Sequence, residues 1–136
     1  MRVTTKGRYA LRAIVRLTQS NSGKPVSIRT LSEVEKISPE FLEQIFFKLR
    51  KADIITSTRG PGGGFMLNKP PEKITVADIF IAVDEGLALT PCTDFGDKEC
   101  ELDEECNMHL FWLETSKHMQ DYFSKITVKS IIEKTG

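Results

Sequence analysis

The sequence predicts a mainly α-helical fold with a small β-wing: a winged helix-turn-helix followed by a long C-terminal helix. Residues 27–51 read as two short helices joined by a tight link, which is the pattern of a helix-turn-helix. Residues 54–67 read as two β-prone runs separated by a glycine-rich turn, which predicts a wing directly after the second of these helices. Apolar residues at helical spacing after about residue 107 predict the long helix.

Thr4 or Thr5 is predicted to cap the first helix, which runs to about Ser20 and has a broad apolar face. Its remaining surface is basic. Solvation explains most of these charges, although those near the start are candidates for contacts with phosphate. The basic residues are Arg2, Lys6, Arg8, Arg12 and Arg16.

The next two helices are defined by their caps. Ser27 is predicted to cap a helix over Ile28–Glu35, in which Ile28, Leu31 and Val34 lie three apart and are expected to share the buried face. The helix after it has its own start signal, an N-cap serine followed by proline and a carboxylate in the first turn. These are Ser38, Pro39 and Glu40, and the apolar residues expected to face the core are Leu42, Ile45, Phe46 and Leu49.

The predicted wing joins residues 54–58 to residues 65–67 through the turn Arg59-Gly60-Pro61-Gly62-Gly63-Gly64. Because glycines have no side chains, backbone N–H groups and Arg59 can approach a phosphate backbone or enter a minor groove. A glycine-rich hairpin packed on a core is the alternative. The turn does not read as a P-loop, since neither a Gly-Lys-Ser/Thr ending nor a helix follows it.

The remaining elements lie beyond a proline-rich break at residues 69–73. Thr75 and Asp78 predict a capping box that opens a helix to about Val83. The long helix is expected to run from about residue 107 to Lys125, with a short terminal helix after it. Its apolar surface exceeds what a lone surface helix needs, which predicts a symmetric dimer; an intramolecular core helix is the alternative.

Charge is segregated along the chain although its formal net charge is zero. Residues 1–69 hold 13 Lys and Arg against 5 Asp and Glu, whereas residues 70–136 hold 6 against 14. The basic half suits a polyanion such as double-stranded DNA, and the acidic half cannot be the surface that meets it. No secretory segment and no apolar run of about 20 residues is found, so a cytoplasmic protein is expected.

All three cysteines of the chain lie close together, at Cys92, Cys100 and Cys106, and His109 follows them. An odd number of cysteines argues against a disulfide framework. Three thiolates and an imidazole can bind a metal, and their spacing leaves zinc and iron–sulfur both open, as well as ordinary thiols in a loop. A thiol-dependent enzyme is disfavoured, because a reactive thiolate needs positive neighbours and this segment holds seven carboxylates against Lys98 alone.

Five stretches together carry a resemblance to a known family: MRVTTKGRYAL, ISPEFLEQIFFKLRKADI, RGPGGGF, ITVADIFIAVDEGLALTPC and ITVKSII. The chain resembles the IscR-type family of winged-helix transcription regulators, which includes the iron–sulfur assembly, nitric-oxide-sensing and cysteine-metabolism regulators. The match spans essentially the whole chain. The third helix in combination with the wing is its most specific part.

The resemblance implies a homodimer that binds a palindromic DNA operator and holds an iron–sulfur cluster. Cys92, Cys100 and Cys106 stand where the sensing members keep their cluster cysteines, and His109 matches the histidine of the assembly regulator. The nitric-oxide sensors draw a carboxylate from the first helix, where this chain has Arg8, so the resemblance favours His109 and a [2Fe–2S] cluster. The first two cysteines are two residues further apart than in the assembly regulator. A cluster-free or zinc-bound regulator of the same family is the alternative.

On the DNA side, Glu43 and Gln44 match recognition-helix positions of the family, and Arg59 matches its wing arginine. Glu40 and Phe41 stand where serine and tyrosine are usual, so a changed operator is expected. The predicted DNA-binding residues are Arg2, Glu40, Phe41, Glu43, Gln44, Lys48, Ser57, Arg59, Gly60 and Pro61.

The expected organisation is a winged helix-turn-helix DNA-binding domain over residues 1–83 and a cluster-binding loop over residues 84–109. A dimerisation helix and a short terminal helix follow over residues 107–136. The sequence is interpreted as a DNA-binding transcription regulator that senses iron–sulfur or redox status through its cluster. It is not expected to be an enzyme.

Overall fold

The structure is a computed structural model that describes residues 3–20, 23–86, 89 and 107–135. These residues form a mainly α-helical fold with one two-stranded antiparallel sheet, which confirms the predicted fold class. The elements in chain order are α1 (Thr5–Gln19), α2 (Ile28–Glu35), α3 (Pro39–Lys51), β1 (Ile55–Thr58), β2 (Gly64–Leu67), a 3-10 turn (Pro71–Lys73), α4 (Val76–Ala82), α5 (His109–Lys125) and α6 (Val128–Thr135).

The hydrophobic core is built mainly from α1 to α4 together with the start of β1 and of α6. Phe46 of α3 is fully buried, and its ring packs edge-on against Phe65 of β2 with 4.9 Å between the ring centroids. The inner face of α3 is therefore held by the core and by the wing. The largest fully buried side chains are Phe46, Ile14, Leu31, Leu42, Leu49, Ile55, Ile74, Ile79, Val83 and Val128.

The terminal helix α6 returns to this core after α5. The Val128 N–H donates to the carbonyl oxygen of Ile74 at 2.9 Å, and the Val76 N–H donates to that of Ile126 at 2.9 Å. The side chain of Val128 is fully buried in the same cluster as the residues of α1 and α3. The C-terminal segment thus packs on the winged-helix part of the chain, beside α4.

Helix α5 packs on α4 along one side and leaves apolar side chains exposed elsewhere. Phe123 meets Phe80 of α4 edge-on, with 5.5 Å between the ring centroids. Leu110, Phe111 and Tyr122 are exposed, Leu110 by 74%. Among the helices of the described ranges, none has the length and apolar character needed to cross a membrane.

The buried face of α2 differs from the predicted one. Leu31 is fully buried as expected, but Val34 is 49% exposed and Glu35 takes the inward position. The Glu35 carboxylate accepts from Arg16 Nε at 2.7 Å and from Arg12 Nη2 at 2.9 Å, so these two arginines of α1 are paired within the chain. Burial alone would raise the pKa of Glu35, but the hydrogen bonds and charges of Arg16 and Arg12 outweigh it and lower the pKa.

The contacts of Glu35 lead to a prediction about the stability of the fold. We expect Glu35→Gln to lower the free energy of unfolding by about 2 kcal/mol at neutral pH, because charge-assisted hydrogen bonds between α1 and α2 are lost. A lowered pKa in the folded chain stabilises the fold above the unfolded-state pKa, and this stabilisation is lost as the pH falls through the folded-state pKa. The difference between the variant and the wild type should therefore shrink toward pH 3, measured by urea unfolding across a pH series.

Glu33 of the same helix provides the matched control. Its pair with Arg29 is exposed, with a distance of 3.3 Å and side-chain exposures of 67% and 89%. Exposed pairs of this kind contribute little, so Glu33→Gln should leave the free energy of unfolding nearly unchanged. Equal effects of the two substitutions, or a Glu35→Gln cost that does not vary with pH, would contradict the assignment.

Candidate nucleic-acid interface and metal centre

The helix-turn-helix is formed by α2 and α3, and local hydrogen bonds define both helix starts. Ser27 Oγ accepts from the Thr30 N–H at 3.1 Å, and Ser38 Oγ accepts from the Phe41 N–H at 3.3 Å. Between the helices, Lys36 adopts a left-handed conformation with a φ of 58°, which ends α2 and turns the chain. The predicted caps, including Pro39 at the first position of α3, are found as expected.

The outer face of α3 is exposed along its length. The inner face buries the four predicted apolar residues, and at 3.6 residues per turn positions 40, 44, 47 and 51 fall on the opposite side. One shallow groove on this side is lined by Glu40, Glu43, Gln44, Phe47 and Lys48. The structure thus brings four predicted DNA-binding residues together and adds Phe47 to them.

Two of the predicted DNA-binding residues of α3, Phe41 and Lys48, make contacts with other parts of the chain. The ring of Phe41 packs edge-on against Tyr9 of α1 with 5.7 Å between centroids. Lys48 Nζ lies 2.9 Å from Asp84 Oδ2 in an exposed ion pair, and this hydrogen bond lowers the pKa of Asp84. Phe41 therefore supports the position of α3 on α1, and Lys48 must exchange a carboxylate for a phosphate to contact DNA.

The wing is a short antiparallel hairpin in which Ile55 pairs with Leu67 and Thr58 with Gly64. Its tip is exposed at Arg59, Gly60 and Pro61. The strand bounds are close to the predicted ones, with β2 beginning one residue earlier. The tip thus presents a cation and backbone to solvent, as a nucleic-acid contact requires.

The strands of the wing are tied to other elements close to the turn, at the paired residues Ser57 and Phe65. The Val26 N–H donates to the Phe65 carbonyl oxygen at 2.9 Å, and the Phe65 N–H donates back to that of Val26 at 2.8 Å. Ser57 lies 3.4 Å from Arg50 Nη1 at the end of α3. These contacts set the wing relative to the start of α2 and the end of α3.

A buried carboxylate holds the segment after α4 against the start of α1. Glu85 is 5% exposed and accepts from the Thr4 N–H at 2.7 Å, from the Gly7 N–H at 3.2 Å and from the Thr4 hydroxyl. Burial alone would raise the pKa of Glu85, but these hydrogen bonds outweigh it and lower the pKa. Thr4 is the N-cap residue of α1, as predicted, but its side chain makes no capping hydrogen bond; its hydroxyl donates to Glu85, and this carboxylate caps the helix N-terminus instead. The first residues of the predicted cluster-binding loop are thereby fixed to the winged helix.

The predicted metal ligands are only partly within the described residues. His109 is the first residue of α5 and is half-buried. Cys92, Cys100 and Cys106 lie outside the described residues, as does Arg2 of the predicted DNA-binding set. Within the described ranges, no group of three or more potential metal ligands occurs.

The described residues on either side of residues 90–106, called here the cysteine segment, are nevertheless connected to α5. The Leu89 N–H donates to Ser116 Oγ at 3.2 Å, and Ser116 is buried. Residue 107 leads directly into His109 at the start of the same helix. Ser116 and His109 are two turns apart, which is about 10 Å along the axis.

Sequence reasoning did not identify Glu35, Glu85 or Asp84 as structural residues. Glu85 and its partner Thr4 are 81 residues apart in sequence, and Lys48 and Asp84 are 36 residues apart. No local sequence pattern indicates contacts over such separations. Phe47 is placed outside the buried face of α3 by its spacing, although it is not among the predicted DNA-binding residues. Its position four residues after Glu43 and three after Gln44 places it on the same helix face.

Comparisons with known proteins agree with this geometry. Residues 3–134 match the Rrf2 family, described as "Iron-dependent Transcriptional regulator". The HTH-type transcriptional regulator IscR of Erwinia tasmaniensis is 37% identical over 132 residues, which is 97% of this chain and 79% of that protein. The structure of CymR, the global cysteine regulator of B. subtilis, superposes with a TM-score of 0.82 and 25% identity, covering 100% of this chain and 99% of that chain. The structure of T. potens IscR has a TM-score of 0.78 and 27% identity, with coverages of 100% and 89%.

Proposed function

The chain belongs to the Rrf2 family of winged helix-turn-helix transcriptional regulators, and we propose that it senses iron–sulfur or redox status through a cluster bound by Cys92, Cys100, Cys106 and His109. It acts as a homodimer on a palindromic operator. Its relatives are transcriptional regulators and not enzymes. Residues 1–83 bind DNA, residues 84–109 hold the cluster and residues 107–136 provide the dimerisation helix and the terminal helix.

The exposed outer face of α3 is the observation that carries the DNA-binding part of the proposal. Glu43 and Gln44 are both exposed and line one groove with Glu40 and Lys48. Carboxylates accept hydrogen bonds from cytosine N4, and amides pair with adenine edges in the major groove. The wing tip at Arg59 adds a cation for the phosphate backbone or the minor groove.

The exposed apolar side chains of α5 support a homodimer. Leu110, Phe111 and Tyr122 are exposed by 74%, 51% and 58%, and all three lie on the helix that follows the cysteine segment. Exposed apolar surface on one helix is typical of a subunit interface. A two-fold dimer presents two copies of α3, and the operator then carries two matching half-sites.

The donor set fits an iron–sulfur cluster. Thiolates and imidazole are its ordinary ligands, and the anchored ends of the cysteine segment support their convergence. Cys92 is three residues beyond Leu89, which is bonded to Ser116, and Cys106 is three residues before His109. Three residues of extended chain span at most about 10 Å. When bound, such a cluster supplies a one-electron redox response and a change of charge.

Two observations bear on cluster type. His109 is the first residue of α5 and follows Cys106 by three residues, so it is close in sequence to the third thiolate. The nitric-oxide sensors that this chain resembles have a carboxylate ligand on the first helix, and Arg8 stands at that position here. The Arg8 guanidinium lies 5.9 Å from the centroid of the Tyr9 ring. Both support [2Fe–2S] ligation through three thiolates and His109. A zinc-bound or cluster-free regulator of the same family would show no visible absorption band and no redox response.

The DNA-binding part is tested with a duplex that the wild-type chain enriches from a random-sequence pool, called here the selected duplex. Arg59→Ala is expected to weaken binding and to lower the slope of log affinity against log salt by about one unit, because one phosphate contact is lost. Fluorescence anisotropy titrations across a salt series measure both quantities. The same titrations should saturate at two chains per duplex.

Lys129 supplies a charge-matched control on α6. It is exposed and lies 4.0 Å from Glu133, on the terminal helix and not on α3 or the wing. Lys129→Ala removes the same charge as Arg59→Ala but should leave affinity and salt slope nearly unchanged. If both variants lose affinity equally, only net charge matters; if neither does, the wing does not contact DNA.

A further inference from the structure

Phe47 is an exposed aromatic residue in the middle of the outer face of α3. It is 59% exposed, and of the large apolar side chains of α3 it is the exposed one. It belongs neither to the core nor to the partly buried side chains packed against the core. Most of the apolar surface of this phenylalanine therefore lies outside the core of the described chain and can contact a partner.

The side chains next to Phe47 indicate which kind of partner would contact it. It lines one groove with Glu43, Gln44 and Lys48, the polar residues predicted to meet DNA. The exposed apolar residues of α5 lie on a different element, where a second copy of the chain accounts for them. A ligand that covers Glu43 and Gln44 in the major groove must also cover Phe47, since residues three and four apart on a helix are neighbours.

The major groove offers one apolar group to such a side chain, the C5-methyl of thymine, and phenylalanine is among the residues that contact it. We propose that Phe47 reads the methyl group of one thymine in each half-site of the operator. The inference deepens the proposed function and rests on it. Phe47 thereby determines sequence specificity without a hydrogen bond, beside the polar contacts of Glu43 and Gln44.

Replacing thymine by uracil removes this methyl group and leaves the base pair intact. In the selected duplex, each thymine is replaced by uracil in turn, symmetrically in both half-sites, and the affinity of the wild-type chain is measured. At one position the replacement should weaken binding about fourfold per half-site, the value for loss of one buried methyl group. At that position of the duplex, the same replacement should not change the affinity of the Phe47→Ser variant. At all other positions, the affinities of the two proteins should change by the same factor.

Val34→Ser is the matched control, because Val34 is also an exposed apolar residue, 49% exposed on α2. It should keep the wild-type response to uracil at every position. Thermal unfolding should show that Phe47→Ser folds as the wild type does, as expected for an exposed side chain.

The possible results distinguish failure of the Phe47 inference from failure of the proposed DNA-binding function. If a duplex is enriched but its uracil scan is the same for the wild type and Phe47→Ser, Phe47 reads no thymine and this inference is overturned, while DNA binding stands. If the random-sequence pool yields no enriched duplex, the proposed function itself fails and the inference with it. A position that responds to uracil in the wild type and not in Phe47→Ser supports the assignment.

Discussion

Gly64→Ala is expected to lower the free energy of unfolding by roughly 3 kcal/mol or more and to abolish binding to the selected duplex. Gly64 has a φ of 154°, in a region that side chains rarely adopt. A Cβ added there would lie 2.4 Å from the carbonyl oxygen of Val26 and 2.5 Å from its carbonyl carbon. Both are backbone atoms, so the clash cannot be relieved by a side-chain rotation.

The consequence for DNA binding follows from what Val26 does. It exchanges two backbone hydrogen bonds with Phe65, the residue after Gly64, and these bonds hold the wing beside the start of α2. Moving the backbone away from the added Cβ breaks them and displaces the wing tip. The affinity loss should therefore exceed that of Arg59→Ala, which removes one side chain and leaves the wing in place.

Gly62→Ala is the matched control for this prediction. Gly62 also has a positive φ, 75°, but a Cβ added there meets nothing within 4 Å. Backbone strain alone should cost about 1 kcal/mol. Urea unfolding and anisotropy titrations of both variants measure the difference. Equal costs at the two positions would show that the contact with Val26 does not constrain the wing.

The parts of the fold that the sequence predicts correctly depend on local interactions. The Ser38–Pro39 start of α3 and the Thr75–Asp78 capping box are hydrogen-bonded within three residues, and both are found as predicted. The glycine-rich turn likewise predicts a wing because its backbone conformations require glycine. Such signals are complete within a few residues, so no knowledge of the rest of the chain is needed.

The inward face of α2 shows what local patterns miss. Spacing alone favours Val34 as the third buried residue, and a carboxylate next to it reads as solvent-exposed. The structure buries Glu35 instead, because Arg12 and Arg16 of α1 are positioned to satisfy it. Helices α1 and α2 meet through a polar contact that neither sequence segment reveals alone. Glu85 is similar, since the N–H groups that it accepts from belong to Thr4 and Gly7 at the start of α1, 81 and 78 residues earlier.

The candidate cluster site was predicted from residue chemistry and from resemblance, and the described residues contribute His109 and the two anchors of the cysteine segment. Three thiols and an imidazole indicate metal binding by their chemistry, but sequence spacing does not determine which metal they select. Ligand identity therefore has to be tested one side chain at a time.

Cys92→Ala, Cys100→Ala and Cys106→Ala are each expected to abolish stable cluster incorporation, because an iron that loses an anionic thiolate is left incompletely ligated. His109→Ala is expected to retain a weakened cluster with an altered visible absorption spectrum, since a neutral ligand is lost and the three thiolates stay. Iron and sulfide content and the visible spectrum of anaerobically purified protein measure both effects.

His118 provides the matched control for His109→Ala. It lies on the same helix as His109, but its side chain is 77% exposed and 3.9 Å from Glu114. His118→Ala should therefore leave iron content and spectrum at wild-type values. Full iron occupancy in any cysteine variant, or one zinc and no iron per wild-type chain, would overturn the cluster assignment. If His118→Ala changed the spectrum as His109→Ala does, the effect would come from α5 as a whole, and His109 would lose its role as the fourth ligand.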